Sequence, residues 1–454
     1  MVNFTSPRQA MTALMLLVLS LVTFSAGADA MNIQEVKSPG GITAWLVEEH
    51  AVPLIAMKFA FKGGSSQDPQ GRAGVANFVS VMLDEGAGGL SSQKFQERTE
   101  DLAMRMSFED GRDTFYGNFQ TLTKNRDASF DMLRLALTKP AFAAKAMQRM
   151  RVQLLASLAF RERDPRSVAA RNWSEMAFGK HPYARPVNGD AASLKAMTPK
   201  DLEDYRQRVF ARDTLKVVVV GDIDAKTLSR LLDKTFGALP AKARLLPVAQ
   251  TRPAKGPKQK IIKMNVPQSV AQFGMAGLAR NDKDFIAAYV LNQIVGSGGF
   301  SSLLMEEVRE KRGLAYSVYS FLQPYDHAAI YAGSVATKND SILKSMDVIK
   351  AVLTRIAKEG PTARQLRNAK DYLTGSFALR FDTSSKIAGQ LLYIYTENLG
   401  LDYVEKRNKL IEAVTLADVK RVAARLLHPE NMLVTIVGQP VMAKAKPGRV
   451  KPKS

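Results

Sequence analysis

Leu194 to Ile223 reads LKAMTPKDLEDYRQRVFARDTLKVVVVGDI, and Ile411 to Pro440 reads IEAVTLADVKRVAARLLHPENMLVTIVGQP. The two stretches align without a gap at an offset of 217 residues. Each opens on Thr-x-x-Asp, Thr198 to Asp201 and Thr415 to Asp418, the spacing of a helix start in which the threonine oxygen accepts from an early helical N–H. Pro199 suits the first helical position, where an N–H would have no intrahelical partner. Each predicted helix then runs into an apolar, β-branched stretch, Val217 to Val220 and Leu433 to Val437, that stops at Gly221 or Gly438. A second echo is Thr123-Lys124-Asn125 before one apolar helix and Thr337-Lys338-Asn339 before another. The chain therefore reads as two similar halves of roughly 200 residues, each the size of a domain.

Working outward from the repeat, Ile42 to Val47 and Leu54 to Phe61 read as paired strands, Arg72 to Leu83 as a helix, and Met106 to Thr121 as strand with a turn near Asp110-Gly111. Helices follow over Ala143 to Phe160 and Pro165 to Phe178. Strands come in runs and helices in runs, the pattern of an α+β fold. Residues 31–238 form the first half and 261–440 the second. Between them, 239–260 carries Pro240, Pro247, Pro253 and Pro257 and reads as an extended linker. From Leu239 to Asn281 there are eight Lys or Arg and no acidic residue. Aromatic residues for base stacking are sparse there, and no nucleic-acid motif accompanies the net charge of +21, so nucleic acid is not expected as a partner. Residues 441–454 are a basic tail.

Residues 1–30 read as a secretory signal: Arg8, then the apolar run Met11 to Ser25, then Ala28-Asp29-Ala30 as a small-x-small cleavage site. The run is short for a membrane span, which needs about 20 residues, so no stable span is expected. The mature chain is expected to start near Met31 and to be periplasmic. With no cysteine among 454 residues, disulfides, thiolate metal sites and a cysteine nucleophile are excluded. The four histidines, His50, His181, His327 and His428, stand far apart, and none has a histidine or glutamate at helical metal spacing.

Gly71 to Gly89, GRAGVANFVSVMLDEGAGG, resembles the helix that carries H-x-x-E-H in pitrilysin/insulinase-type metallopeptidases, the inverzincin family that includes the mitochondrial processing peptidase. The resemblance implies Gly-φ-Ala-His-Phe-φ-Glu-His-Met in active members. Here Asn77, Ser80 and Val81 stand at the three chemical positions. Positions i, i+3 and i+4 share one helix face, so two histidines there can hold a zinc whose water the glutamate activates. An amide, a hydroxyl and a valine cannot. The family's distal glutamate falls near Ser157, within Gln153 to Ala159, where there is no carboxylate. The degenerate zinc-motif positions are thus Asn77, Ser80 and Val81, and no metal is expected in this chain.

Gly298 to Val318, GGFSSLLMEEVREKRGLAYSV, is similar to the second-half signature of the same family, with Leu303 where many members have arginine. The resemblance implies that Arg309 and Tyr316, seven residues apart, reach toward a zinc site. Ser302 to Lys311 reads as a helix, Gly313 suits its C-terminus, and Leu314 to Phe321 reads as a strand, so a tight turn would set Arg309 beside Tyr316. Both can donate to a carbonyl becoming an oxyanion. Read without the resemblance, they are better taken as a surface ion-pair residue and a half-buried strand residue, a common surface arrangement, and the resemblance reverses that preference. Arg312, nearby, is expected to face solvent.

The resemblance implies an α+β pair of halves, processing-peptidase-like, around a central chamber. In some family members one subunit carries H-x-x-E-H and the other a degenerate zinc helix. The expectation is a zinc-free subunit of an exported heterodimeric metallopeptidase. It would hold no cofactor of its own, zinc lying in a paralogous H-x-x-E-H partner subunit, and would handle extended peptide substrates. A catalytically inactive scaffold or peptide-binding protein of the same fold is the alternative.

Overall fold

The computed structural model describes residues 31–441; the signal-like segment 1–30 and all but the first residue of the basic tail lie outside the described residues. The first half is built on a six-stranded sheet in the order β1-β2-β6-β3-β5-β4, with β1 Gln34–Lys37, β2 Thr43–Glu48, β3 Leu54–Lys62, β4 Arg105–Asp110, β5 Thr114–Leu122 and β6 Lys216–Gly221. The second is built on a five-stranded sheet in the order β7-β11-β8-β10-β9, with β7 Lys258–Lys263, β8 Gln268–Ala276, β9 Ser317–Pro324, β10 Ala329–Lys338 and β11 Leu433–Gly438. Helices pack on both sheets, and the α+β reading of two similar halves holds.

The repeat occupies equivalent places. The helices Pro199–Val209 and Leu416–Leu426 both begin with a closed capping box, Thr198 with Asp201 and Thr415 with Asp418. They lead into β6 and β11, the interior strands of their sheets. Here one expectation fails: β2 and β3 do not pair. β6 lies between them, parallel to β2 and antiparallel to β3. The short connection over 49–53 suggests a hairpin, but Val217 to Val220 is an unbroken apolar run buried on both faces, and such a run belongs in the middle of a sheet. The second half repeats the arrangement, with β11 parallel to β7 and antiparallel to β8.

What buries the second face of each interior strand comes from the other half. The Pro165–Phe178 helix of the first half lies on β8 and β11. There Val168 and Ala169 meet Val270 and Val437, and the Trp173 indole N–H donates to the Leu433 carbonyl at 3.2 Å. In return the Ser384–Thr396 helix of the second half lies on β3 and β6. Its Ala388, Leu391 and Leu392 pack on Val218 and Val220, and Tyr395 stacks on Trp45 with ring centroids 4.2 Å apart. Each sheet thus completes its burial with the other half's helix, so the halves are mutually dependent.

The proline-rich segment is extended and crosses both halves. Arg244 N–H donates to the Arg208 carbonyl, Thr251 N–H to His327, and Gly256 N–H to Asn431. β7 begins at Lys258, slightly earlier than the sequence boundary. A cavity of about 600 Å³ lies between the halves, lined by Lys62, Tyr116 and Lys216 from one and by Arg280, His327 and Glu397 from the other. No helix among the described residues is long and apolar enough to cross a membrane.

Candidate functional site

The helix expected over Arg72 to Leu83 is regular only over Val75–Ser80 and runs on as turns. Its start is fixed by Gly74, whose φ is 88° and whose Cβ, if present, would lie 2.8 Å from Gly189. The Asp68 carboxylate then accepts from the N–H groups of Gly74 at 2.7 Å and Ala76 at 2.9 Å, satisfying two of the helix's free donors.

The motif face is engaged internally. The Asn77 amide Nδ2 donates to Asp110 Oδ1 at 2.9 Å. Asn77 Oδ1 and Asp110 Oδ2 are buried without a hydrogen-bond partner among the described residues. Ser80 Oγ donates to the Asn77 carbonyl at 2.8 Å, and Val81 packs against the core. Ser157 is exposed on the Ala144–Arg163 helix. These side chains do not fit a zinc ion: the amide nitrogen and the hydroxyl are spent as donors, valine has no ligand atom, and Asp110 is one carboxylate where three or four ligands are needed. Among the described residues no group of three or more His, Asp or Glu could hold a metal.

Burial pushes the Asp110 carboxyl up to about 7, against the opposing hydrogen bond from Asn77. Asp68 is likewise raised to about 7, first by burial, with the Asp110 charge adding to it and the two N–H bonds opposing. Both carboxyls are therefore held toward the protonated form as pH approaches neutrality. The sequence reading used Asp110 only as a turn marker and passed over Asp68. Nothing in the spacing signals either, because Asn77 and Asp110 are brought together only by helix-on-sheet packing.

In the second half, Gln293–Ser297 and Met305–Glu310 are wide, π-type helical turns on either side of Gly298-Gly299. Such turns widen a helix locally and are frequent at functional sites. Arg309 is in the second of them. Gly313, at φ 59°, makes the left-handed turn expected of it, and Tyr316 comes one residue before β9 rather than within a strand. The turn does bring the two together. The Arg309 guanidinium carbon lies 4.9 Å from the Tyr316 ring centroid and 4.5 Å from that of Phe300. Phe300 and Tyr316 are 67% and 80% exposed, so this is an open surface and not a half-buried strand position. The role of Phe300 was missed, although it sits inside the quoted signature.

The only ion pair of Arg309 among the described residues is to Glu310, at 3.4 Å from Nε. Arg312 is exposed, as expected, and also donates to the Glu307 carboxylate at 2.6 Å and carbonyl at 2.7 Å. Burial works against the Glu307 charge, but Arg312 and Lys311 hold its carboxyl below the usual range. The structure thus groups Asn77, Ser80 and Val81 on one turn and Arg309 with Tyr316 on another. No hydrogen bond, ion pair or ring contact links the two groups among the described residues.

Two family models match this chain: "Insulinase (Peptidase family M16)" over residues 46–191 and "Peptidase M16 inactive domain" over residues 196–373. The chain belongs to the M16 peptidase family. With Asn77, Ser80 and Val81 in place of the zinc motif, it is a non-catalytic member. It is 27% identical to the "Non-peptidase homolog YmxG" of Helicobacter pylori over 86% of this chain and 90% of that protein. An uncharacterized zinc protease of Mycobacterium tuberculosis is also 27% identical, over 88% of this chain and 92% of its own length. The crystal structure of a peptidase M16 inactive domain from Pseudomonas fluorescens superimposes with a TM-score of 0.85 at 27% identity, covering 91% of this chain and 99% of that one.

Proposed function

We propose that this chain is the zinc-free subunit of an exported, periplasmic heterodimeric M16 peptidase, and that Arg309 and Tyr316 complete the site of a partner subunit carrying H-x-x-E-H and zinc. The observation that carries this reading is the clamp on Arg309 by the Phe300 and Tyr316 rings. A guanidinium held against two aromatic rings is restrained while its N–H groups remain able to donate. Arg309 and the exposed Tyr316 thus stand together as donors on an open surface, which is what stabilising a developing oxyanion on a bound peptide calls for. The short chain segment from Ala28 to Ala30 supports export, and N-terminal sequencing at Met31 checks it.

The test is a reconstituted pair with an H-x-x-E-H subunit. Arg309→Ala and Tyr316→Phe should leave assembly intact and lower turnover about 10²–10³-fold, the usual cost of one oxyanion donor. Arg312→Ala is no clean control, because Arg312 donates to the Glu307 carboxylate and carbonyl in the same turn as Arg309 and its loss would disturb that turn. Arg364→Ala, exposed and outside any ion pair among the described residues, serves instead. Equal, near-wild-type turnover for all three variants would leave the second reading, an inactive scaffold or peptide-binding protein. The likeness to a protein named as a non-peptidase homolog favours that reading.

A further inference from the structure

Beside the replaced zinc-motif helix lies a cavity of about 340 Å³ whose lining includes Arg112, Arg161, Arg171 and Arg185, with Glu162 its one acidic residue. It is closed on one side by the Ala144–Arg163 helix, the helix that carries Ser157, and on another by the 185–189 loop that packs against Gly74. Tyr325, from the second half, completes the wall.

Few ion pairs neutralise the four guanidiniums, although the Asp110 and Asp68 carboxyls lie near enough to Arg161 and Arg185 to interact with their charge. Arg161 makes no ion pair or hydrogen bond among the described residues. Arg112 lies against Tyr183 and Tyr325, at 5.5 and 5.8 Å from their ring centroids, and donates weakly to the Arg185 carbonyl at 3.5 Å. Arg185 donates to the carbonyls of Asp68 at 2.6 Å and Ser66 at 3.4 Å, while its Nε is buried with no acceptor among the described residues. Arg171 reaches only Glu175, at 3.9 Å. Burial and the neighbouring Arg112 charge lower the Arg185 pKa, with Asp68 working against them, so the innermost of these guanidiniums is partly desolvated and feels a like charge beside it, while Arg161 stands exposed at the rim. Side chains of like charge in one concave, partly dry wall focus their field outward and favour an anion. Arginine forks match the planar oxygens of carboxylate and phosphate.

We propose that this cavity binds carboxylate groups of a peptide, so that the surface of the lost zinc site has become an acceptor for acidic peptide segments. The apolar parts of Leu158, Pro186 and Val187, also in the wall, suit the methylenes of a glutamate side chain better than a free inorganic anion. The proposal deepens the peptide-handling reading above. It needs no partner subunit, so it can fail while the Arg309–Tyr316 reading stands, and the reverse.

The test is calorimetric titration of the purified chain at low salt with three short peptides: a glutamate-rich one with an amidated C-terminus, its all-glutamine counterpart, and the glutamine peptide with a free C-terminus. The glutamate peptide should bind about tenfold or more tightly than the amidated glutamine peptide, since hydrogen bonds to charged groups are worth roughly that. Arg161→Gln and Arg171→Gln should each weaken it several-fold and lower its salt dependence. Arg364→Gln, which removes the same charge elsewhere, should not. Tight binding of the free-terminus glutamine peptide, lost in Arg161→Gln, would also support the proposal and assign the terminal carboxylate as ligand. Equal affinity for the two amidated peptides, with no gain from the free terminus, overturns it. So does equal weakening by Arg161→Gln and Arg364→Gln, or binding of inorganic phosphate where no peptide binds. Thermal melts of the variants confirm folding; Arg161 is exposed and holds no structural bond.

Discussion

Asp110→Asn should stabilise this protein, and only above a definite pH. Asp110 is largely buried, accepts one hydrogen bond from Asn77, and has a second oxygen without a partner among the described residues. Its carboxyl is pushed from an ordinary 3.8 up to about 7. Below pH ~4 both the folded and unfolded chains hold the proton, so the group contributes no pH dependence. Between pH ~4 and ~7 the folded chain keeps a proton that the unfolded chain has released, so stability falls as pH rises. Above pH ~7 both are ionised, and the full cost of burying the charge is present. About three pKa units at ~1.4 kcal/mol each set an upper bound of roughly 4 kcal/mol. In Asp110→Asn that cost is absent, and the new amide oxygen can still accept from Asn77 Nδ2. The measurement is the melting temperature of both proteins at pH 4.5, 6 and 8. The variant should exceed wild type only slightly at pH 4.5, where about a quarter of the cost is present, and at pH 8 by up to roughly 8–16 °C, taking 2–4 °C per kcal/mol for a domain of this size. A residual slope should remain from Asp68, whose carboxyl is raised to about 7 in the same way. A melting-temperature difference of the same size at all three pH values would refute the reasoning, because it would place the effect in packing and not in ionisation.

Two further outcomes follow from the packing. Asn77→His with Ser80→Glu and Val81→His should still give weak zinc binding, since Ser157 leaves the distal carboxylate missing; one zinc per chain retained through dialysis would contradict this. Trp173→Ala, which removes a 2% exposed ring and its bond to Leu433 from the contact between the halves, should cost about 3–5 kcal/mol. Its urea denaturation should also become less cooperative as the halves uncouple, and a single unchanged transition would count against mutual dependence.

What was legible in the sequence is what local chemistry dictates. Thr198–Asp201 and Thr415–Asp418 announce helix starts because the cap closes within one turn, and both boxes are formed. Val217 to Val220 and Leu433 to Val437 announce strands because nothing polar interrupts them. The same runs also carried the information that was misread. An apolar run with no polar alternation needs cover on both faces, which excludes an edge and places β6 between β2 and β3 whatever the short connection suggests. Which element supplies that cover was not legible, since the Pro165–Phe178 and Ser384–Thr396 helices look like ordinary helices of their own halves until each is found on the other's sheet.

The candidate site divides along the same line. Arg309 and Tyr316 meet because a seven-residue spacing across a left-handed glycine is a local fact, and Phe300 joins them from the same signature. Asp68 and Asp110 belong to the motif helix through contacts that only the fold creates. They also explain how the helix can do without its metal ligands. A zinc site places two or three ligand atoms toward a cation. Here the same face turns an amide toward a carboxyl that holds its proton toward neutral pH, while a second carboxyl caps the helix start. The replacement is therefore internally bonded and not a damaged remnant. A chain in which only the two histidines had been lost would keep the distal carboxylate or an open ligand face, and this one has neither: Ser157 stands at the distal position, and Asn77 and Ser80 are spent in hydrogen bonds to Asp110 and to the helix backbone.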